Sequence, residues 1–512
     1  MNKSLKNIGF KILGVLIITT HPQIFGQSSV LDQRIALSCN NCSISQALSK
    51  IESSVHLYFS YNPDLFTSSE SVTINIENIP LYQLLDTILN DRTIKYNIVE
   101  KQIVLFRPPE NESGKQHSDD DLLNKQIIVS GKIIDQNTKK PVPFANICVV
   151  GRSLGSVSNM NGEFVIKIPD YLQNDSLGIS CIGYRTFIEP LEKTRNQKTF
   201  ELQTDYVPIQ EVIIRKTEPL YLIKNAIKRI PDNYNMNPSI LTSFYRETIE
   251  HGSKYLSITE SVLQTYKSGY TGHNENDLIK VLKGRKSQNL DPRDSLLIKL
   301  KAGLNTTLLL DMIKNPADFL QEDYFRYYDY QLADIITDNN RETYVINFRQ
   351  KETINEPLYY GKIYIDVNNL AIKTLEFSLD KNGIEKTGDR FVIKRPRWLI
   401  VKPVKAQYRV SYREFGHKYY LNLIRCETGF KIRQRKQIFS SLYDSKIEMV
   451  VTDIDTSDVR KFRHRDVTKP ETIFTDLLNE KPDVFWENYN YLKPDEPLEK
   501  AMDKISPISN DN

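Results

Sequence analysis

Histidine, cysteine and long apolar runs are all scarce in this 512-residue chain, and its positive and negative side chains nearly cancel. Each shortage removes a class of function. Beyond residue 26 the histidines are His56, His117, His251, His273, His417 and His464. They are scattered, and none begins H-x-x-E or H-E-x-x-H, so no ligand cluster for a hydrolytic metal is expected and no metal or cofactor is assigned. The five cysteines, Cys39, Cys42, Cys148, Cys181 and Cys426, are too few and too odd in number for a disulfide framework. The formal charge of +4 falls to +1 once Lys3, Lys6 and Lys11 are set aside, which argues against nucleic acid as a partner. The apolar run Ile12 to Ile18 is far short of the ~20 residues of a spanning helix, and no later stretch reaches that length.

What is present begins at the N-terminus. Three lysines, that short apolar run, and Thr19 to Phe25 leading to Gly26 form the tripartite layout of a secretory signal peptide over residues 1–26. The mature chain is therefore expected to be exported and periplasmic, with no membrane-spanning segment, and to lie either free or peripheral to the outer membrane. No cysteine stands at the expected cleavage point, so a lipid-anchored N-terminus is not expected.

Residues 35 to 105 repeat themselves at an offset of 37: Ile44, Gln46, Leu48, Ile51, Leu57 and Phe59 answer to Leu81, Gln83, Leu85, Ile88, Ile94 and Tyr96. In each copy the apolar spacing makes one helix face and the next alternating run makes a strand, which predicts a small duplicated βαβ domain over 33–106. The stretch Phe59-Ser60-Tyr61-Asn62-Pro63-Asp64-Leu65, then Val72-Thr73-Ile74-Asn75-Ile76 and Pro80-Leu81-x-x-Leu84-Leu85, resembles the short N-terminal domain shared by secretins and TonB-dependent transducers. That resemblance implies a periplasmic protein-docking module. Cys39 and Cys42 form C-N-N-C just before the first helix. They are either a local disulfide staple, two free thiols, or a redox pair whose Cys42 thiolate the helix dipole favours. Residues 107–125 turn polar, and Asp119, Asp120 and Asp121 read as part of a solvated linker rather than a cation site.

Over 126–205 short alternating runs are broken by turn residues, which predicts an all-β domain. The phrases Val129-Ser130-Gly131-Lys132-Ile133-Ile134-Asp135, Pro141-Val142-Pro143-Phe144-Ala145-Asn146-Ile147, Asn159-Met160-Asn161-Gly162-Glu163-Phe164 and Ser180-Cys181-Ile182-Gly183-Tyr184 closely resemble, in that order, the carboxypeptidase-regulatory-like domain. That family implies a transthyretin-like β-sandwich that accompanies some zinc carboxypeptidases without being the catalyst. Gly151-Arg152-Ser153-Leu154-Gly155 satisfies G-x-S-x-G, but a nucleophile elbow runs from strand into helix and here a hairpin follows. Ser153 is not taken as a nucleophile, and no catalytic residue is assigned.

From 217 to 500 the pattern is β-rich with flanking helices. Leu220, Ile223, Ile227 and Ile230 make a helical stripe ending at Pro231. Tyr344 to Phe348, Leu358 to Asp366, Ala371 to Leu379, Gln407 to Glu414 and Lys418 to Ile432 largely alternate, predicting consecutive antiparallel strands in one curved sheet. The phrases Ile223-Lys224-Asn225-Ala226-Ile227, Phe244-Tyr245-Arg246-Glu247, Tyr360-Gly361-Lys362-Ile363-Tyr364-Ile365-Asp366 and Phe485-Trp486-Glu487-Asn488-Tyr489 resemble an uncharacterised envelope family that carries the regulatory-like domain just upstream. The strand run also resembles the lipoprotein-carrier fold, whose half-closed sheet implies an apolar concavity. Tyr359, Tyr364, Phe377 and Trp398 are the candidates to line it, with ordinary core as the alternative. Arg246 and Glu247 read as a structural ion pair, and Lys394-Arg395-Pro396-Arg397 and Arg460 to Arg465 as solvated basic faces rather than headgroup-binding ones.

The chain thus reads as multidomain α+β: the duplicated domain, the sandwich, then a large antiparallel β-rich domain. A full TonB-dependent receptor is excluded, since only about 300 residues remain for a plug and barrel. The expected function is that of a non-enzymatic periplasmic or outer-membrane-associated binding or scaffold protein with envelope-protein partners. A carrier holding a lipid or similar apolar ligand, and a truncated receptor-like signalling component, are the alternatives.

Overall fold

The computed structural model describes residues 34–55, 58–60, 71–88, 95–99, 102–106, 126–205, 218–252, 254–270, 277–288, 299–300, 303–338, 341–387, 392–394, 397–457, 459–469, 486, 489–495, 498 and 500–501. The expected signal peptide, Asp119 to Asp121 and the histidines His56, His117 and His273 lie outside them. The chain divides between residues 116 and 117 into two compact units.

In the first unit the elements recur with the offset read from the sequence. Strand β1 (Arg34–Ser43), helix α1 (Ile44–Val55) and β2 (Tyr58–Ser60) are followed by β3 (Ser71–Pro80), α2 (Leu81–Ile88) and β4 (Lys95–Val99), each starting 37 residues after its counterpart, and β5 (Gln102–Phe106) closes the unit. Strands β1 and β3 pair antiparallel with Arg34 opposite Pro80 and Ser43 opposite Ser71, the pattern that a two-fold relation between the copies produces. At the start of α1 the Ser43 amide donates to Gln46 Oε1 and the Gln46 amide donates to Ser43 Oγ, a reciprocal cap that satisfies two amides the helix itself cannot. Ala47, Leu48 and Ile51 of α1 meet Leu81, Leu84 and Leu85 of α2 in one buried cluster.

The second unit opens with the sandwich. Its strands are β6 (Gln126–Asp135), β7 (Asn146–Val149), β8 (Gly155–Val157), β9 (Glu163–Pro169), β10 (Ser176–Ser180), β11 (Phe187–Pro190) and, after the short α3 (Leu191–Thr194), β12 (Thr199–Leu202). They form two sheets ordered β12-β6-β9 and β11-β10-β7-β8 over a core that includes Ile133, Phe164, Ile166 and Phe200. Gly162 has φ +74°, and a Cβ there would stand 2.3 Å from the Ile133 carbonyl oxygen, so the Asn161-Gly162 turn requires glycine.

After α4 (Pro219–Lys228) and α5 (Ile230–Asn233) come the strands of one large sheet: β13 (Ser239–His251), β14 (Lys254–Lys267) and β15 (Leu278–Gln288), then β17 (Tyr328–Asp338), β18 (Arg341–Gln350), β19 (Tyr359–Asp366), β20 (Ile372–Leu379), β22 (Leu399–Phe415), β23 (Lys418–Gln434) and β24 (Ser441–Asp455). Between them lie β16 (Lys299–Leu300), α6 (Leu304–Leu309), α7 (Lys381–Thr387) and β21 (Val392–Lys394). The ten long strands are ordered β15-β14-β13-β24-β23-β22-β20-β19-β18-β17, all neighbours antiparallel.

The two faces of this sheet differ in kind. One is apolar and filled: Leu222, Ile223 and Ala226 of α4, with Leu304, Met312, Ile313 and Phe319 from the segment before β17, pack on Ile346, Ile363, Leu375 and Val410. Gly361 leaves a gap in the aromatic row between Phe348 and Phe377. The Phe319 ring lies over that gap, its centroid 4.2 Å from Phe348 and 5.2 Å from Phe377. The other face carries a row of polar residues in direct register from edge to edge: Arg285, Glu260, Arg246, Glu448, Arg425, Arg409, Glu376, Lys362, Asn347 and Gln331. Opposite charges meet across most steps. Glu260 is bound by Arg246 at 2.7 Å and Arg285 at 2.6 Å, Glu448 by Arg425, and Glu376 by Arg409. Beside the row, Glu427 accepts from Arg425 at 2.6 Å and Lys405 at 2.5 Å. Burial by itself would raise the Glu427 carboxyl, but the two cations outweigh it and hold it at about 2.

Two stability predictions follow from these faces. Phe319→Ala should open a cavity over the sheet and lower the unfolding free energy by about 3–5 kcal/mol, measured by urea denaturation; Tyr171→Ala, at an exposed side chain, should change it by less than ~0.5 kcal/mol. Glu427→Gln should cost on the order of 2 kcal/mol at pH 7. Because this carboxyl titrates lower in the folded than in the unfolded chain, its contribution is complete above the unfolded value of roughly 4.3 and drains away as pH falls towards 2. Denaturation of the wild type and variant from pH 7 to 3 should therefore show their difference shrinking with acid; a difference independent of pH would refute the assignment.

Candidate functional site

In the charged row one step brings two cations together, because Arg409 on β22 stands opposite Arg425 on β23. The sandwich answers it. Phe144, held at φ +58° by the turn before β7, places its ring 5.3 Å from the Arg409 guanidinium and 5.0 Å from that of Arg425. An aromatic face attracts both cations and keeps water from them. Around this contact the sandwich is fastened to the sheet and the C-terminal segment. Ser153 Oγ donates to Asp453 at 2.5 Å, Arg413 donates to the Ser153 carbonyl at 2.5 Å, and the Gly183 amide donates to the Thr337 carbonyl at 2.9 Å. Asn159 donates to the Pro494 carbonyl at 3.1 Å, and the Lys167 amide to Asn490 at 2.6 Å.

Beside Phe144 the two parts leave a cavity of about 230 Å³. Strands β7 and β10 contribute Asn146, Cys148, Gly178 and Ser180; the sheet contributes Arg341, Lys373, Arg409, Arg413, Glu414 and Asn422. Four cations and one carboxylate therefore line it. Arg341 is tied to Glu414 and lies 3.7 Å from Asp366, and Arg409 is tied to Glu376. Arg413 is different. It is 7% exposed, its Nε has no hydrogen-bond partner, and burial lowers its pKa against the weaker opposing pull of Cys148 and Asp453. Guanidinium stays charged nonetheless, so a poorly compensated cation faces the cavity. The Nε of Arg409 and Oδ1 of Asn146 are likewise without partners. Gly155 makes room for Arg413, since a Cβ there would lie 2.7 Å from its Nη1.

This arrangement can hold an anion. No histidine lines the cavity, and burial raises the Cys148 thiol, against the pull of Arg413, so the thiol stays protonated. Among the described residues no three His, Cys, Asp or Glu side chains gather as a metal site, and no helix is long and apolar enough to cross a membrane.

The residues singled out from the sequence fall elsewhere. Tyr359 and Phe377 do meet, at 5.2 Å, but within the filled aromatic core. Tyr364 lies on the opposite face of β19, where its hydroxyl donates to Glu376 at 3.1 Å, and Trp398 is 43% exposed before β22. The four do not line one cavity, because residues an odd number apart along a strand face opposite sides. Arg246 and Glu247 are separated for the same reason: Arg246 pairs with Glu260 and Glu448, while Glu247 accepts from Tyr245 at 2.9 Å. Ser153 sits between two strands, and its hydroxyl bridges the sandwich to the sheet. Cys39 and Cys42 are bonded to each other. His251 stacks on Tyr443 and His417 is fully exposed in a hairpin turn. Sequence reasoning missed Arg341, Lys373, Arg409 and Arg413; the spacing of Arg409 and Arg413, even along one strand, was the available signal.

Residues 129–214 match the family model of the CarboxypepD_reg-like domain, and residues 320–426 match that of a Family of unknown function (DUF5686). No curated protein matches the chain. Among solved structures, a LolA superfamily protein from Nitrosomonas europaea aligns at 10% identity over 49% of this chain and 98% of its own, with a TM-score of 0.20. A DUF1329 family protein from Desulfovibrio piger aligns at 11% identity over 49% of this chain and 100% of its own, with a TM-score of 0.22. Lipovitellin aligns at 9% over 44% of this chain and 26% of its own, with a TM-score of 0.21. Scores of that size establish no shared fold. The chain carries a CarboxypepD_reg-like domain followed by a region of the DUF5686 type.

Proposed function

We propose that this chain is an exported, non-catalytic binding protein whose ligand site is the cationic cavity between the sandwich and the large sheet. The observation that carries the reading is Arg413, a buried guanidinium on the wall of that cavity with which no carboxylate among the described residues forms an ion pair. A buried cation held without its full set of acceptors costs stability, and an anionic group from outside recovers that cost. The CarboxypepD_reg-like module supports the same reading, because it serves here as a wall of the site and as an anchor to the sheet. The first unit is the part of the chain suited to docking an envelope partner, as its resemblance to the secretin and transducer module implies; a receptor-like signalling role rests on that resemblance alone. The carrier alternative needs an open apolar face on the sheet. That face is occupied by the chain's own Phe319, Leu304 and Met312, so binding is assigned to the polar face.

Calorimetric titration of the purified chain with inorganic pyrophosphate tests the site. Saturable binding is expected, weakened at least about tenfold by Arg409→Gln and again by Arg413→Gln, with circular dichroism unchanged. Absence of binding by the wild type, or equal binding by folded variants, would remove the proposal.

A further inference from the structure

The hairpin joining β23 to β24 ends in an exposed apolar tip. Ile438 is 88% exposed and Phe439 87% exposed, while Trp398 and Leu442 beside the strand ends are 43% and 44% exposed. Large apolar side chains are tolerated singly on a surface, but a group of four at one end of one sheet marks an interaction site. The tip is a built turn rather than a frayed one. The Gln437 amide donates to the Gln434 carbonyl at 3.0 Å, Arg433 donates to the Gln437 carbonyl at 3.0 Å, and the Arg435 amide donates to the Trp398 carbonyl at 2.9 Å.

Around the tip stands a collar of one charge. Arg397, Lys402, Lys431, Arg433, Arg435 and Lys436 lie on the strand ends and the turn, and among the described residues none of them forms an ion pair. Lys402 and Lys431 are direct cross-strand neighbours, a like-charge placement that weakens the sheet unless something negative lies across it. No Asp or Glu occurs between residues 390 and 413 or between 428 and 443, so the stretches that carry the collar hold no acid. Exposed aromatic and aliphatic side chains ringed by Lys and Arg match the layered chemistry of an anionic bilayer surface, acyl region within and phosphate without.

We propose that the β23–β24 hairpin, with Trp398 beside it, docks this protein on an anionic lipid surface, Ile438 and Phe439 entering the headgroup–acyl boundary and the collar meeting lipid phosphates. The assignment uses none of the cavity residues, so it goes beyond the anion-binding reading and stands or falls separately from it. An exported chain without a spanning helix among its described residues would by this means be held at a membrane as a peripheral protein.

Co-sedimentation of the full chain with vesicles of phosphatidylcholine and phosphatidylglycerol, against vesicles of phosphatidylcholine alone, tests it. The wild type should sediment with the anionic vesicles and not with the neutral ones. Ile438→Ser with Phe439→Ser should lower the partition coefficient at least about tenfold, since both side chains are exposed and their loss leaves the fold intact. Each of Arg433→Gln, Arg435→Gln and Lys436→Gln should lower it on the order of fivefold at low salt, and the wild-type value should fall as salt rises. Arg413→Gln should sediment like the wild type, which separates failure at the tip from failure at the cavity. Failure to bind anionic vesicles, binding indifferent to the tip substitutions, or a dimer in light scattering that those substitutions dissolve would overturn the proposal, the last by giving the tip to a second copy of the chain.

Discussion

A guanidinium almost wholly removed from water must be met by carboxylates, and Arg246, 2% exposed on the third strand of the large sheet, is met by Glu260 at 2.7 Å and Glu448 at 3.7 Å. Everything else on that face follows from this need. Glu260 calls for Arg285, Glu448 for Arg425, and the C-terminal segment lays the Leu492 carbonyl on Arg246 at 2.6 Å while Trp486 covers Arg285. A row of alternating charge fixes strand register, because a slip by one residue would send every member to the apolar face. The row also imposes its own fault line where Arg409 meets Arg425. The sandwich repairs that fault with Phe144, and the cavity beside it exists because the repair is local.

The opposite face obeys a different constraint. Aromatic rings there are numerous and close, and one of them, Phe319, is supplied from outside the sheet. A sheet so filled behaves as a core. The polar face, with its second layer, is the one on which the cavity lies.

How much of this could be read from the sequence depends on the range over which each signal acts. The duplication in the first unit is a local pattern compared with itself, so its offset carried over to the start of each repeated element. Strands β18, β19, β20, β22 and β23 alternate because one of their faces is polar over much of its length, and that pattern placed them. Strand β14 was not read from the sequence, since it is buried on both sides over most of its length and such a strand loses its period of two. The candidate site failed on parity: Tyr359 and Tyr364 lie five apart on one strand, which already put them on opposite faces. Arg246 and Glu247, adjacent in the chain, were open to the same check. The cavity itself was beyond local reading, because its walls include residues of β7, β10, β18, β20, β22 and β23, and only tertiary pairing joins them.

Strand β22 carries cations for both proposed sites, with Lys402 towards one end and Arg409 and Arg413 towards the other and no acid between them. Whether they act as one electropositive surface is a question of distance. Seven residues of extended chain separate Lys402 from Arg409, roughly 23 Å at the usual rise per residue. At physiological ionic strength exposed charges are screened within about 8 Å, so Lys402 and its neighbours do not reach the cavity through solvent. Arg409 is in addition neutralised by Glu376 and capped by Phe144. The hairpin end of the strand therefore presents its charge to bulk water and to whatever broad anionic surface approaches, whereas the cavity end presents a few directed donors to a single small group. One strand serves two kinds of recognition because screening separates them and burial sharpens only the second.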